Sequence, residues 1–226
     1  MDVHILSLFP LSIEPYLDSS IMKRAQEKGL FRYHLHNLTD WTVRNTRRVD
    51  DRAYGVWTGT ILTIEPLTRA LEDLRAKYGE MKILYFSPRW ELLTQEKCEY
   101  YVENIESQYC IICGHYEGID ERVFELFDIE EISIGNYVLT GGELPAAIVC
   151  DSIMRLLPGV LSDETSALTD SFQDNLLSPP VYTRPADFNG MKVPDILLSG
   201  NTKHIEEWRY NQSVERTEKR RPNLLK

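Results

Sequence analysis

The sequence predicts an α/β fold built on a mainly parallel sheet, and three observations carry that prediction. Short apolar runs, at His4–Phe9, Lys82–Phe86 and Gln108–Cys113, recur along the first two-thirds of the chain and read as buried strands. Between them apolar residues return at helical spacing, first Ile13, Leu17, Ile21 and Ala25, then Leu67, Leu71 and Leu74. Beyond Gly159 the alternation stops and the composition turns polar. Strands that alternate with helices form a sheet covered on both faces, and ligands meet such sheets in the loops at the carboxyl ends of the strands.

In chain order, the first strand is stopped by Pro10, and the helix carrying Ile13 to Ala25 closes at Gly29. Phe31, Tyr33 and Leu35 alternate with Arg32, His34 and His36, the pattern of a half-buried strand with its histidines on the surface. Pro66 suits a first helical turn. Gln108–Cys113 ends at Gly114. Residues 162–178 are rich in Ser, Thr, Asp and Asn and read as a linker between a sheet domain, 1–161, and a small helical domain, 179–226. In that last segment Ile205, Trp208 and Gln212 share one helical face, a stripe too short to stabilise much unless it packs on something.

The chain has 226 residues, 42% hydrophobic and 27% charged, which excludes wholesale disorder. No apolar run approaches the roughly 18 residues of a membrane span, so no membrane partner is expected. Met1–Pro10 lacks a basic segment ahead of its apolar run and does not read as a signal peptide, so the expected location is cytoplasmic and the four cysteines are expected to be reduced. A balance of 25 basic and 35 acidic residues, net −10, argues against polyanion binding by the whole surface. Two local segments run the other way. Lys203–Lys226 holds seven Lys/Arg against four Glu, and Arg32–Arg52 holds five Arg against three Asp.

Neither Gly-x-Gly-x-x-Gly nor Gly-x-x-x-x-Gly-Lys-Ser/Thr occurs, which removes the standard dinucleotide and P-loop readings. Cys110-x-x-Cys113 lies in an apolar strand, where positions three apart face opposite ways, so buried free thiols are expected there rather than metal ligands. The informative stretch holds three glycine-bearing turns: Gly114–Arg122, Ile132–Leu139 and Thr140–Pro145. Glycine lets backbone approach a ligand closely. Such turns could wrap a ligand with main-chain groups, or could simply be tight turns.

These residues resemble the bacterial tRNA (guanine-N1)-methyltransferase family. The likeness runs almost end to end. It takes in Ile5–Pro10, Val49–Arg52 with Tyr54-Gly55, Ser87-Pro88, the three turns, and Arg155 with Pro158–Leu161. It continues through Asp170-Ser171-Phe172, Tyr182–Pro185, Val193-Pro194, Leu197–Asn201 and Trp208-Arg209. The resemblance implies a SPOUT-like, trefoil-knotted, mainly parallel sheet domain, a linker and a small helical C-terminal domain that contacts tRNA, working as a homodimer. It implies methylation of guanine N1 just 3′ of the anticodon with S-adenosyl-L-methionine. Carried over, the cofactor residues are Tyr85, Phe86, Ser87, Pro88 and Gly114, then Ser133, Ile134, Gly135, Asn136, Tyr137, Val138 and Leu139, with Gly141, Gly142 and Pro145.

The chemistry has its own demands. The sulfonium methyl is already electrophilic, whereas neutral guanine N1 carries a proton and is a poor nucleophile. A base must take that proton and a cation or donor must hold the charge that spreads onto O6. By resemblance these roles fall to Asp170 and Arg155. Glu117 aligns with a family carboxylate tied to substrate handling and to Mg²⁺ dependence, and a hard divalent ion such as Mg²⁺ near carboxylates and O6 is chemically reasonable, though the sequence does not say whether it is required.

The pattern breaks in places. Val56-Trp57-Thr58 and Arg89-Trp90 stand where the family is glycine-rich, Asn136 stands where an Asp is usual, and the chain ends at Lys226 where the family continues with more helix. The early end is expected to weaken the grip on tRNA or the small domain. The two tryptophans keep open an alternative: a catalytically weak or inactive relative that binds tRNA or cofactor.

Overall fold

A computed structural model describes residues 1–56, 58–104, 108–161 and 170–225. Trp57, Lys226 and the first half of the expected linker, 162–169, lie outside the described residues. The chain divides into two compact units, Met1–Ser162 and Asp163–Lys226.

The first unit is a mixed α/β structure around a five-stranded parallel sheet. Its strands are β1 (Asp2–Ser7), β2 (Arg32–Asn37), β5 (Lys82–Phe86), β6 (Gln108–Ile112) and β7 (Ile129–Ile132), in the order β2-β1-β6-β5-β7. All four pairings are parallel; Ile5, for instance, stands beside Leu35 on one side and Ile111 on the other. Alternate residues face opposite layers. Ile5, Leu84, Ile111 and Cys113 pack with α2 (Ser20–Glu27), α4 (Gln95–Glu103) and α6 (Glu143–Met154). Leu6, Ile83, Cys110 and Ile112 pack with α3 (Ile64–Tyr78) and α5 (Arg122–Leu126). The two cysteines of the Cys-x-x-Cys therefore lie in different core layers. All four cysteines are free and buried, and burial pushes the Cys110 and Cys150 thiols up to about 12. A short antiparallel hairpin, β3 (Asp50–Arg52) with β4 (Thr60–Leu62), lies outside the main sheet.

Three sequence expectations need correction. The first strand ends at Ser7, because the Phe9 N–H turns back to Ser7 Oγ (2.8 Å) and leaves the ladder. The single helix expected from Ile13 to Gly29 is two, α1 (Glu14–Leu17) and α2, broken at Asp18-Ser19, where the Gln26 side chain bonds the Leu17 carbonyl (2.8 Å). The break shifts the buried face from Ile21 to Met22. The histidines of β2 are half-buried rather than fully on the surface. Register sets His34 beside His4, and both point with His36 toward Tyr78 of α3. The imidazoles stack, His4 to His34 at 4.6 Å and His4 to His36 at 5.2 Å between centroids.

The second unit holds a hairpin, β8 (Asp187–Phe188) with β9 (Met191–Lys192), a short α7 (Asp195–Leu198) and the long α8 (Thr202–Arg220). Asn201 caps α8 by accepting from the His204 N–H. Ile205, Trp208 and Gln212 are half-buried along one face, and Thr217 is buried below them. Thr217 Oγ1 accepts from the Leu177 N–H (2.9 Å), and Arg216 donates to the Ser178 carbonyl (3.0 Å), so the segment before the prolines is pinned to α8.

Candidate active site

Because the sheet is parallel, the ends of β5, β6 and β7 fall on one edge, and the turns that follow them meet there. They enclose a cavity of about 210 Å³. Tyr85, Phe86, Ser87 and Pro88 line it from the end of β5; Gly114, His115, Tyr116, Glu117 and Gly118 follow β6. Ile132, Ser133, Ile134, Gly135, Tyr137, Val138, Leu139 and Thr140 come from β7 and its turn, and Gly141, Gly142 and Pro145 from the start of α6. Main-chain bonds tie the turns together: Ser87 N–H to Ile132 O (3.0 Å), Gly142 N–H to Gly114 O (2.9 Å) and Ser133 N–H to Glu91 O (2.8 Å). Glu117 is held from the hairpin side, its N–H donating to Thr60 O (3.1 Å).

Two glycines show why the turns close so tightly. A Cβ on Gly114 would lie 2.9 Å from the Tyr85 hydroxyl, and one on Gly142 would lie 2.6 Å from the Cys113 Cα. The lining is chemically one-sided. It has apolar rings and main-chain groups, one carboxylate at Glu117, and no Lys or Arg among the described lining residues. Burial pushes the Tyr85 phenol up to about 12, so it stays a neutral donor. His115 Nδ1 is buried without a hydrogen-bond partner among the described residues. Such a lining suits a cationic, partly aromatic ligand and offers no side-chain cation to a pyrophosphate.

The cleft gathers every residue the resemblance assigned to the cofactor except Asn136, which is exposed at the tip of its turn. Just before it, the Tyr137 ring folds over Gly135 and its hydroxyl bonds Ile134 O (3.1 Å). Of the three residues assigned to chemistry, Glu117 lines the cleft. Arg155 ends α6, and only the first turn of that helix meets the cleft. Between Pro145 and Arg155 the helix rises about 15 Å. Asp170 belongs to the second unit, at the mouth of a loop closed by the Ser178 N–H bonded to Ser171 Oγ (3.0 Å). Trp90 does not line the cleft; it is exposed beside Arg75 and Lys82 in a separate hollow. Sequence reasoning passed over His115, Tyr116, Gly118, Ile132 and Thr140 as site residues; each sits inside or beside a glycine turn, the only signal it carried. Among the described residues no group of three or more His, Cys, Asp or Glu side chains is placed to hold a metal ion, and no helix is long and apolar enough to cross a membrane.

The family model described as tRNA (Guanine-1)-methyltransferase TrmD matches residues 1–226. The chain belongs to this family. Among its relatives, a protein named tRNA (guanine-N(1)-)-methyltransferase from Bacteroides thetaiotaomicron is 50% identical over 225 residues, 100% of this chain and 99% of that protein. Proteins of the same name from Christiangramia forsetii and Porphyromonas gingivalis are 48% and 47% identical, over 99% and 100% of their own lengths. These methyltransferase relatives leave almost nothing of their length unmatched.

Proposed function

We propose that the chain methylates N1 of the guanosine just 3′ of the anticodon in tRNA, binding S-adenosylmethionine in the cleft between the three turns. The observation that carries this reading is the family match across the whole chain, joined to a cleft whose lining suits a sulfonium ligand. When bound, the cofactor supplies a methyl group that needs no further activation. Tyr85, Phe86, Ile132 and Leu139 offer apolar walls to an adenine, and the exposed main-chain groups of the turns read its edge. Glu117 and Tyr116 stand where a positive charge is favoured. Asp170 takes the N1 proton as general base, and Arg155 holds the charge that develops on O6.

The same reading gives the first unit the family's trefoil knot, with a knotted domain at 1–161, a linker at 162–178 and a tRNA-contacting domain at 179–226. It places the protein in the cytoplasm. It also makes the protein a homodimer. An α6 that is apolar on almost every side leaves Leu144 and Ile148 exposed one turn apart, which a second copy would cover. The far placement of Arg155 on α6 is explained if each cleft is completed by the other chain.

The test is transfer of labelled methyl from S-adenosylmethionine to a tRNA transcript with guanosine 3′ of the anticodon. Incorporation that disappears when adenosine replaces that guanosine is expected. Asp170→Asn should lower turnover by about two to four orders of magnitude, the usual worth of a general base, with cofactor affinity unchanged. Near wild-type turnover in that variant would remove Asp170 from the mechanism.

A further inference from the structure

Two of the quoted motifs contain polar residues with no role yet in the cleft, Ser7 in Ile5–Pro10 and Glu143 in Thr140–Pro145. They meet. Ser7 is fully buried at the carboxyl end of β1, and its hydroxyl donates to Glu143 Oε1 at 2.6 Å. Ser7 Oγ itself accepts from the Phe9 N–H (2.8 Å). Glu143 is the first residue of α6 and follows directly on Gly141-Gly142, the turn that walls the cleft. Its other oxygen, Oε2, folds back across Gly141, so close that a Cβ there would collide with it, and that same Cβ would lie 3.0 Å from His115 Nδ1. The short bond between hydroxyl and carboxylate is of the strong, charge-assisted kind. A carboxylate at the N-terminus of a 12-residue helix is also favoured by the helix dipole.

The wall of the cleft is thus held from two sides. The Gly142 N–H bonds Gly114 O on the β6 side, and Glu143 ties the next residue to β1 on the other. We infer that Glu143 is a positioning residue, which through its bond to Ser7 fixes the Gly141-Gly142 turn in the shape that receives the cofactor; this rests on the function proposed above. Neither residue reaches the reacting atoms. Their contribution is to cofactor binding.

Calorimetric titration of S-adenosylmethionine into the full-length protein tests this with Glu143→Ala, Glu143→Gln, Ser7→Ala and the double alanine variant. Each single alanine variant is expected to bind about tenfold more weakly, the worth of one charge-assisted hydrogen bond. The double variant should bind no more weakly than the worse single one, since both remove the same link. Glu143→Gln keeps an oxygen that accepts from Ser7 and should restore affinity to within about threefold. Unchanged affinity in Ser7→Ala, or a glutamine variant as weak as alanine, overturns the inference. Wild-type protein that binds no S-adenosylmethionine would sink the proposed function instead. In that case amide exchange at Gly142, read without ligand, still decides: faster exchange in Ser7→Ala than in wild type supports positioning, and equal exchange refutes it.

Discussion

Gly141 and Gly142 are adjacent in the chain and need to be glycine for different reasons. A side chain at Gly141 would press on Glu143 Oε2 and His115 Nδ1, both ends of movable side chains, whereas one at Gly142 would press on the backbone of Cys113 and Gly114. Gly141→Val is therefore expected to fold with a near-normal thermal midpoint and to lose S-adenosylmethionine binding in calorimetry. Gly142→Ala should lose about 1–3 kcal/mol of stability, the cost of overpacking, seen as a lower midpoint. Equal midpoints in the two variants would contradict this division. At this scale the sequence exposes glycine turns well, because a glycine is a local sign of a close approach. It hides Ser7 and Glu143, whose bond joins residues 136 positions apart, and it hides His115, which becomes conspicuous only once its Nδ1 is seen buried without a partner among the described residues.

Elements built on local periodicity were legible. β5 spans Lys82–Phe86, as the apolar run predicts, and α3 buries Leu67, Leu71 and Leu74. The break between α1 and α2 was not, because apolar spacing continues across Asp18-Ser19 while side-chain hydrogen bonds end the helix there. The histidines of β2 were misplaced for a related reason: alternation shows which residues share a face but not that His4 and Tyr78 cover it. In the stack, His4 Nδ1 lies 3.0 Å from His36 Nε2, a bond that needs one ring to stay neutral. Burial, then the charges of the neighbouring imidazoles, holds His36 down at about 4 and also lowers His4, against 6.5 for an exposed histidine. Asp2, Asp73 and Lys77 face the same cluster. The unfolded chain takes up a proton on His36 as pH falls below about 6.5, while the folded state resists until about 4. The stability the stack confers is therefore complete above 6.5 and lost progressively toward pH 4. Urea unfolding at pH 7 and pH 5 should show a smaller pH-dependent loss in His36→Gln than in wild type; identical losses would mean the stack carries no linkage.

On the scale of the whole molecule, charge and assembly decide what tRNA can meet. The net charge of −10 leaves polyanion binding to local groups, and the structure separates the two basic segments. In the first, Arg44 pairs with Asp51 (3.0 Å), Arg48 with Asp50 (3.0 Å) and Arg47 with Asp40, so much of that charge is neutralised within its own loop. The exposed end of α8, with Lys219, Arg220 and Arg221, is left as the stronger candidate. Replacing these three by Ala should weaken tRNA binding and flatten the plot of log affinity against log salt by about two to three units, with cofactor binding unchanged. An unchanged slope would reduce this end to a cation-capped helix terminus. Assembly is the property that local pattern addresses least, since Arg155 ends α6 about 15 Å from the turn that lines the cleft and only the proposed second copy would bring it to one. The measurement that bears most directly on a methyltransferase site shared between two chains mixes an Arg155→Ala chain with a Gly141→Val chain and reads N1-methylguanosine in digested tRNA. Each variant alone should be nearly inactive, and heterodimers should regain activity in the one cleft that keeps both an intact wall and a partner's Arg155. Heterodimers that form and stay as inactive as their parents would contradict the shared site.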